Sequence, residues 1–165
     1  MMKRLLNWGK QLLVFLLLGL IISIGVDWWR GKDFPKTAIP VLASKTLQGE
    51  FVDLAELSKD QAVLVYFWAN WCSVCSFVSP SADRLSEHYP VVTVALSSGD
   101  DLGVKKYLQH HGYGFDVVND NNYALGKAWQ VQVTPTIFII KDGEVKWLTT
   151  GFTSLPGLWW RMLLA

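Results

Sequence analysis

Cysteine is nearly absent from the 165 residues: there are two, Cys72 and Cys75, separated only by Ser73 and Val74. Two cysteines exclude a disulfide framework of the kind that holds small secreted domains together, and they are too few for a four-cysteine zinc site. Net charge is nearly absent too, with 15 Lys and Arg against 14 Asp and Glu, a formal +1. A dedicated nucleic-acid binder would show a basic face or stripe, so nucleic acid is not an expected partner. Internal repeats and low-complexity stretches are missing. Histidine is scarce, and His88, His110 and His111 lack carboxylate or cysteine neighbours at ligand spacing, which marks them as surface or helix-end residues. What the chain has in quantity is apolar side chains. With 51% hydrophobic and 18% charged residues, disorder is excluded and one domain with a sizeable core is expected.

Charge is also missing from one particular place. Fifteen residues from Leu12 to Val26 carry none, and Lys3, Arg4 and Lys10 precede them without an acid. At 1.5 Å per residue this run spans roughly 22 Å, short of the ~30 Å hydrocarbon layer, and extension to Leu5 and Trp29 closes the gap. Trp8, Trp28 and Trp29 then fall at the two interfaces. The positive-inside rule places residues 1–10 in the cytoplasm and the bulk of the chain in a periplasm or its equivalent. The reading is a single-pass inner-membrane anchor through residues 5–29. A cleaved signal peptide has the same layout, but no A-x-A site follows the run, and a buried core helix is a third reading. The expected organisation is residues 1–29 as cytoplasmic tip and transmembrane signal-anchor, 30–40 as a tether with mixed charge and two prolines, and 41–165 as the folded domain.

Within that domain, Val41–Leu47 and Glu50–Leu54 flank Gln48-Gly49 as a short hairpin. Ala62–Trp68 and Val91–Leu96 are near-continuous apolar runs, the pattern of strands buried on both faces. Helical spacing covers 73–89, with Pro80 inside as a kink, then Asp101–His110 and Asn121–Trp129. Phe115–Val118 reads as a short strand, and Asp100-Asp101 as a helix cap. Thr136–Lys141 and Glu144–Thr149 are strands joined by Asp142-Gly143, a strong hairpin signal. Thr153 or Ser154 caps a last helix from near Pro156, whose Leu158, Trp159, Trp160 and Met162 form a core stripe. The order β-α-β-α-β-α-β-β-α describes an α/β domain with parallel pairs and one antiparallel hairpin.

The cysteine pair directly follows a buried strand at the expected start of a helix. There, backbone amides and the helix dipole favour the thiolate and lower a thiol pKa from ~8.5 to between ~3.5 and ~7.5. Cys75, one turn later on the same helix face, could attack a mixed disulfide formed on Cys72. A bare C-x-x-C also serves zinc, Cu(I) and haem; Ser76 after Cys75 excludes the haem motif.

The run Tyr66-Phe67-Trp68-Ala69-Asn70-Trp71-Cys72-Ser73-Val74-Cys75 closely resembles the strand-to-active-site segment of the thioredoxin superfamily, FWAxWCxxC. Val133-Thr134-Pro135-Thr136 resembles its cis-proline loop, and the resemblance covers roughly residues 40–165. The anchor and the extra hairpin resemble the membrane-tethered periplasmic TlpA/ResA/DsbE-like thiol-disulfide oxidoreductases, closest to the ScsD-like group associated with suppression of copper sensitivity. This implies a thioredoxin-like α/β fold, with a central mixed sheet flanked by helices and a transmembrane helix before it. It implies Cys72 as attacking thiol, Cys75 as resolving thiol, a Cys72–Cys75 disulfide in the oxidised form, and Trp68 and Trp71 around the active-site turn. A cis Pro135, with Thr134 presenting backbone groups, would bind an extended substrate segment alongside Trp71. Two positions depart from the pattern: Tyr66 stands where thioredoxin has a buried Asp, and Val78 where ResA-like proteins have a Glu. Tyr66 reads as packing. The implied activity is protein-disulfide exchange, leaning to reduction, with no organic cofactor or metal and a DsbD-like inner-membrane electron donor. A Cu(I)-binding module using the same two thiolates is the alternative.

Overall fold

The computed structural model describes residues 39–165, together with scattered helical positions between Trp8 and Gly25. Two compact units divide the chain, Met1–Phe34 and Pro35–Ala165. The anchor expected over 5–29 and the tether over 30–40 lie mostly outside the described residues. Among the described residues, no helix is long and apolar enough to cross a membrane.

The second unit opens with a two-stranded antiparallel hairpin, β1 (Ala43–Lys45) and β2 (Phe51–Asp53), and a single-turn helix α1 (Leu54–Leu57). The Asp53 carboxylate accepts from the N–H groups of Ala55 and Glu56, so β2 ends in a helix cap and not in the longer strand expected to Leu54. There follow β3 (Val63–Trp68), α2 (Cys75–Ser86), β4 (Val91–Leu96), α3 (Asp101–His111), β5 (Asp116–Asp120), α4 (Ala124–Ala128), β6 (Thr136–Lys141), β7 (Glu144–Thr150) and α5 (Leu155–Leu163). Five strands make one sheet in the order β5-β4-β3-β6-β7. β3 pairs parallel with β4, and β4 with β5, while β6 runs antiparallel to both β3 and β7. This is the expected mixed sheet.

Strand alternation divides the core. Leu64, Tyr66 and Trp68 of β3 join Val78, Ala82 and Leu85 of α2, Val104 and Leu108 of α3, and Leu158 and Met162 of α5 on one face. Phe67, between them in sequence, points to the other face and packs against Trp129 and Phe138 at ring-centroid distances of 5.4 and 5.7 Å. Asp100 caps α3 by accepting from the Gly103 N–H (2.8 Å), and Gly112 closes it in the left-handed conformation. Asp142 and Gly143 both have positive φ, as the tight β6–β7 turn requires. The β1–β2 turn covers the open edge of β5: Gln48 Nε2 donates to the Phe115 carbonyl, and its Oε1 accepts from the Val117 N–H.

Two helices differ from expectation. The helix expected over Asn121–Trp129 is only Ala124–Ala128, because β5 runs on to Asp120 and Tyr123 takes a left-handed φ of 61°. The buried Asp120 carboxylate accepts from the N–H groups of Ala124 and Gly126, both at 2.8 Å, and so fixes where α4 starts. The helix expected over 73–89 begins at Cys75 and ends at Ser86, with Pro80 inside it.

Candidate active site

Topology gathers the candidate residues at one end of the sheet. The parallel strands β3, β4 and β5 all end there, leading into Cys72, Ser97 and Tyr123 respectively. Thr136 of β6 lies opposite both Phe67 of β3 and Thr150 of β7, so Pro135 and Gly151 emerge at the same end. The Gly151 N–H donates to the Pro135 carbonyl (2.9 Å). The crevice beyond the carboxyl ends of parallel strands is where α/β sheets bind ligands.

Cys72 and Cys75 form a disulfide with their Cα atoms 5.3 Å apart. Cys72 is half-buried and Cys75 fully buried, so an incoming group reaches the first sulfur and not the second. Cys72 was expected at the start of a helix over 73–89; the helix begins at Cys75, so Cys72 lies in the turn before it. The consequence is electrostatic: Val74 at the N-cap position supplies no side-chain acceptor, and the Cys75 N–H points at Cys72 Sγ instead, at 3.2 Å. On reduction, that N–H and the positive end of α2 face a developing thiolate.

Tyr66 lies directly behind the pair. Its hydroxyl donates to the Cys75 carbonyl at 3.3 Å and shares a hydrogen bond with the buried Ser79 Oγ at 3.0 Å. Burial pushes this phenol well above its ordinary pKa, against the smaller opposing effect of the Ser79 hydrogen bond. Tyr66 thus packs as expected, and it also ties the strand to the first turn of the helix. Val78 is buried in the same cluster, and residues 61–82 contain no carboxylate.

Trp68 and Trp71 part company. Trp68 is fully buried, donates from Nε1 to Thr93 Oγ1 (3.1 Å) and stacks on Tyr107. Trp71 is 66% exposed, and its indole is pinned by a hydrogen bond from Nε1 to the Ser97 carbonyl (3.1 Å). Asn70 strengthens the same connection through its side chain to the Ser98 carbonyl and its N–H to Ser98 Oγ. The Thr134–Pro135 peptide is cis. Thr134 is half-buried and, among the described residues, takes part in no backbone hydrogen bond.

Between Trp71 and Thr134 lies a cleft of about 370 Å³, walled further by Leu96, Ser97, Tyr123 and Val131–Val133. Sequence reading placed Trp71 and Thr134 at the site but missed Ser97 and Tyr123. Nothing in the sequence flags a lone Ser after a strand, and the expectation of a helix over 121–129 hid the left-handed turn that aims Tyr123. His88, His110 and His111 are exposed, and among the described residues no group of three His, Cys, Asp or Glu is arranged to hold a metal.

Residues 31–148 match the AhpC/TSA family. The chain is 38% identical over 164 residues to a thioredoxin-like protein of Haemophilus influenzae, covering 99% of this chain and 96% of that one. It is 30% identical over 147 residues to the thiol-disulfide oxidoreductase ResA of Geobacillus kaustophilus, covering 82% and 84%. In fold it is similar to a thiol:disulfide interchange protein of the thioredoxin family from Chlorobium tepidum, with a TM-score of 0.68 at 23% identity over 81% of this chain and 98% of that one.

Proposed function

The chain belongs to the AhpC/TSA family and is a thiol-disulfide oxidoreductase of the thioredoxin kind; from that premise we propose that it is a membrane-anchored periplasmic reductase of protein disulfides. Cys72 is the attacking thiol and Cys75 the resolving one. The Cys72 thiolate attacks one sulfur of the substrate disulfide; a Cys72–substrate disulfide forms, and the other substrate sulfur leaves and takes up a proton. Cys75, deprotonated, then attacks Cys72 Sγ, releasing the second substrate thiol and closing the Cys72–Cys75 disulfide. The substrate gains two electrons and two protons, and the enzyme dithiol loses them. A DsbD-like inner-membrane dithiol restores the reduced pair.

The observation that carries the reading is the asymmetry of the pair, with a half-buried Cys72 bonded to a fully buried Cys75. The free backbone of Thr134 beside the cis Pro135 supports their role in holding an extended substrate segment, with Trp71 on its flank. The uncharged run Leu12–Val26 behind Lys3, Arg4 and Lys10 supports the anchor, the 30–40 tether and a carboxyl-terminal domain outside the inner membrane. The same features support placement in the ScsD-like group.

The test is to equilibrate the Cys72–Cys75 pair of the full chain, in detergent, against glutathione buffers and to measure insulin reduction alongside. A potential near or below thioredoxin's ~−270 mV is expected; one near DsbA's ~−120 mV would make the protein an oxidant. Tight stoichiometric Cu(I) binding by the reduced chain without insulin reduction would replace the reading with a Cu(I) module.

A further inference from the structure

The last helix carries its charge on the inner side. In α3 the exposed positions are mostly polar, among them Lys105, Lys106, Gln109 and His110, as hydration of a surface helix demands. In α5 the one charged residue, Arg161, is only 3% exposed; it donates to the Gly157 carbonyl and lies over the Trp160 ring. The exposed positions are Pro156, Trp159 and Leu163, spaced to share one side of the helix, and Leu164 extends the patch. Sequence spacing predicts Leu158, Trp159, Trp160 and Met162 as a core stripe. Leu158 and Met162 keep to it, whereas Trp159 turns outward and is 52% exposed.

A helix that is apolar on both sides calls for cover on both sides. Leu158 and Met162 have theirs in Val78, Ala82 and Leu85 of α2 and in the sheet. Nothing among the described residues covers Trp159 and Leu163. Two features of the chain point to what does. Residues 145–165 contain no Asp or Glu, only Lys146 and Arg161 as charges, so an anionic lipid surface would not repel them. Tryptophan is also the side chain that membrane interfaces favour, and Trp147, Trp159 and Trp160 all belong to this segment. The second feature is the tether over 30–40 behind the uncharged run Leu12–Val26, which reaches at most ~40 Å when fully extended. It would hold the domain beside a bilayer at an effective concentration on the order of mM, so a patch too small to recruit a free domain suffices for a tethered one.

We infer that the exposed face of α5, formed by Pro156, Trp159, Leu163 and Leu164, docks on the anionic lipid surface of the membrane that holds the anchor. The inference rests on the anchored reading above. At nine residues α5 is too short to span a bilayer, and it lies flat in the headgroup interface. The consequence for the reaction is orientation. α5 starts at the end of the sheet where the Gly151 N–H meets the Pro135 carbonyl, and finishes where Lys141 Nζ donates to the Ala165 carbonyl. Lying flat, it turns the mouth at Cys72 along the bilayer, level with a dithiol held in the same membrane.

The experiment uses the full chain in vesicles of equal parts phosphatidylethanolamine and phosphatidylglycerol. Trp159→p-benzoylphenylalanine is irradiated and the adducts identified by mass, with Lys106→p-benzoylphenylalanine on α3 as the control and Leu163→p-benzoylphenylalanine as a second reading of the same face. Positions 159 and 163 should label lipid about tenfold more than position 106, the ratio that a ~1.4 kcal/mol preference for the interface gives. Leu163→Glu should bring labelling from position 159 down to the level of position 106. Equal labelling at all three positions would overturn the inference, as would adducts to a second copy of the chain in place of lipid. Failure of the full chain to float with the vesicles after an alkaline carbonate wash would instead sink the anchored reading, and the docking with it.

Discussion

The two ends of the five-stranded sheet are built from the same strands and have opposite surfaces. At the active-site end, residues 61–82, 90–99 and 128–140 carry no charge and aromatic rings stand in solvent, while Asp100, Asp101 and the buried Asp120 lie where β4 and β5 end. At the other end, where β3, β4 and β5 begin and β6 turns into β7, lie Lys59, Asp60, Glu87, His88, Lys141, Asp142 and Glu144. The described surface ion pairs, Lys59–Glu56, Arg84–Glu87 and Lys146–Glu144, all belong to that second end. The difference teaches a division of labour along the strands. Charges that keep the domain hydrated can sit where nothing binds. Apolar surface that would be a liability elsewhere is concentrated around the cysteine pair, with Trp71, Phe77 and Val133 exposed there.

The strongest way to break this contrast is to remove its chemistry. Cys72→Ser should abolish insulin reduction altogether, while Cys75→Ser should retain attack but stall at a mixed disulfide, visible as a mass increase equal to the bound substrate. Next comes the support of the cleft. Asp120→Ala removes a buried carboxylate that accepts two backbone N–H bonds, and should cost about 2–3 kcal/mol in chemical denaturation.

Tyr66→Phe sharpens the comparison from inside the site end. It should cost about 1 kcal/mol at pH 7 through the lost hydroxyl bonds. Because burial raises the phenol pKa, the folded chain keeps a proton that the unfolded chain releases near pH 10. Stability is therefore fully retained below pH 10 and falls above it, by up to ~1.4 kcal/mol per pH unit for this proton. Denaturation between pH 9 and 11 should show a flatter fall in Tyr66→Phe than in the unaltered chain. The smallest effect belongs to the charged end: Arg84→Gln, which removes an exposed pair at 3.7 Å, should change stability by less than about 0.5 kcal/mol.

The buried strands were the legible part of the fold. Ala62–Trp68, Val91–Leu96 and Thr136–Lys141 fall within a residue of the observed β3, β4 and β6, because a strand covered on both faces must be apolar at every position. Asp142-Gly143 announced its turn, since few residue pairs accept positive φ twice. Helix starts were less legible wherever a side chain some distance away sets them. Asp120 begins α4 from the end of a strand, and the Cys72 sulfur stands in for a cap on α2, which starts two residues later than the expected helix over 73–89. Trp68 and Trp71 looked alike three residues apart, and only the turn between them sends one into the core and the other to the surface.

By itself the sequence determined the close cysteine pair after a buried strand, the order of elements and the absence of charge from the segments near that pair. These are local properties: residue type, spacing and periodicity over a few turns or pleats. Tertiary structure decided which cysteine meets solvent, that Tyr66 braces the helix behind the pair, and that Leu96, Ser97, Tyr123 and Val131 converge with Trp71 and Thr134 on one cleft. Those outcomes depend on strand order and on hydrogen bonds between residues as far apart as Trp71 and Ser97. Periodicity carries no information about such contacts, because they form only when the sheet brings the ends of its strands together.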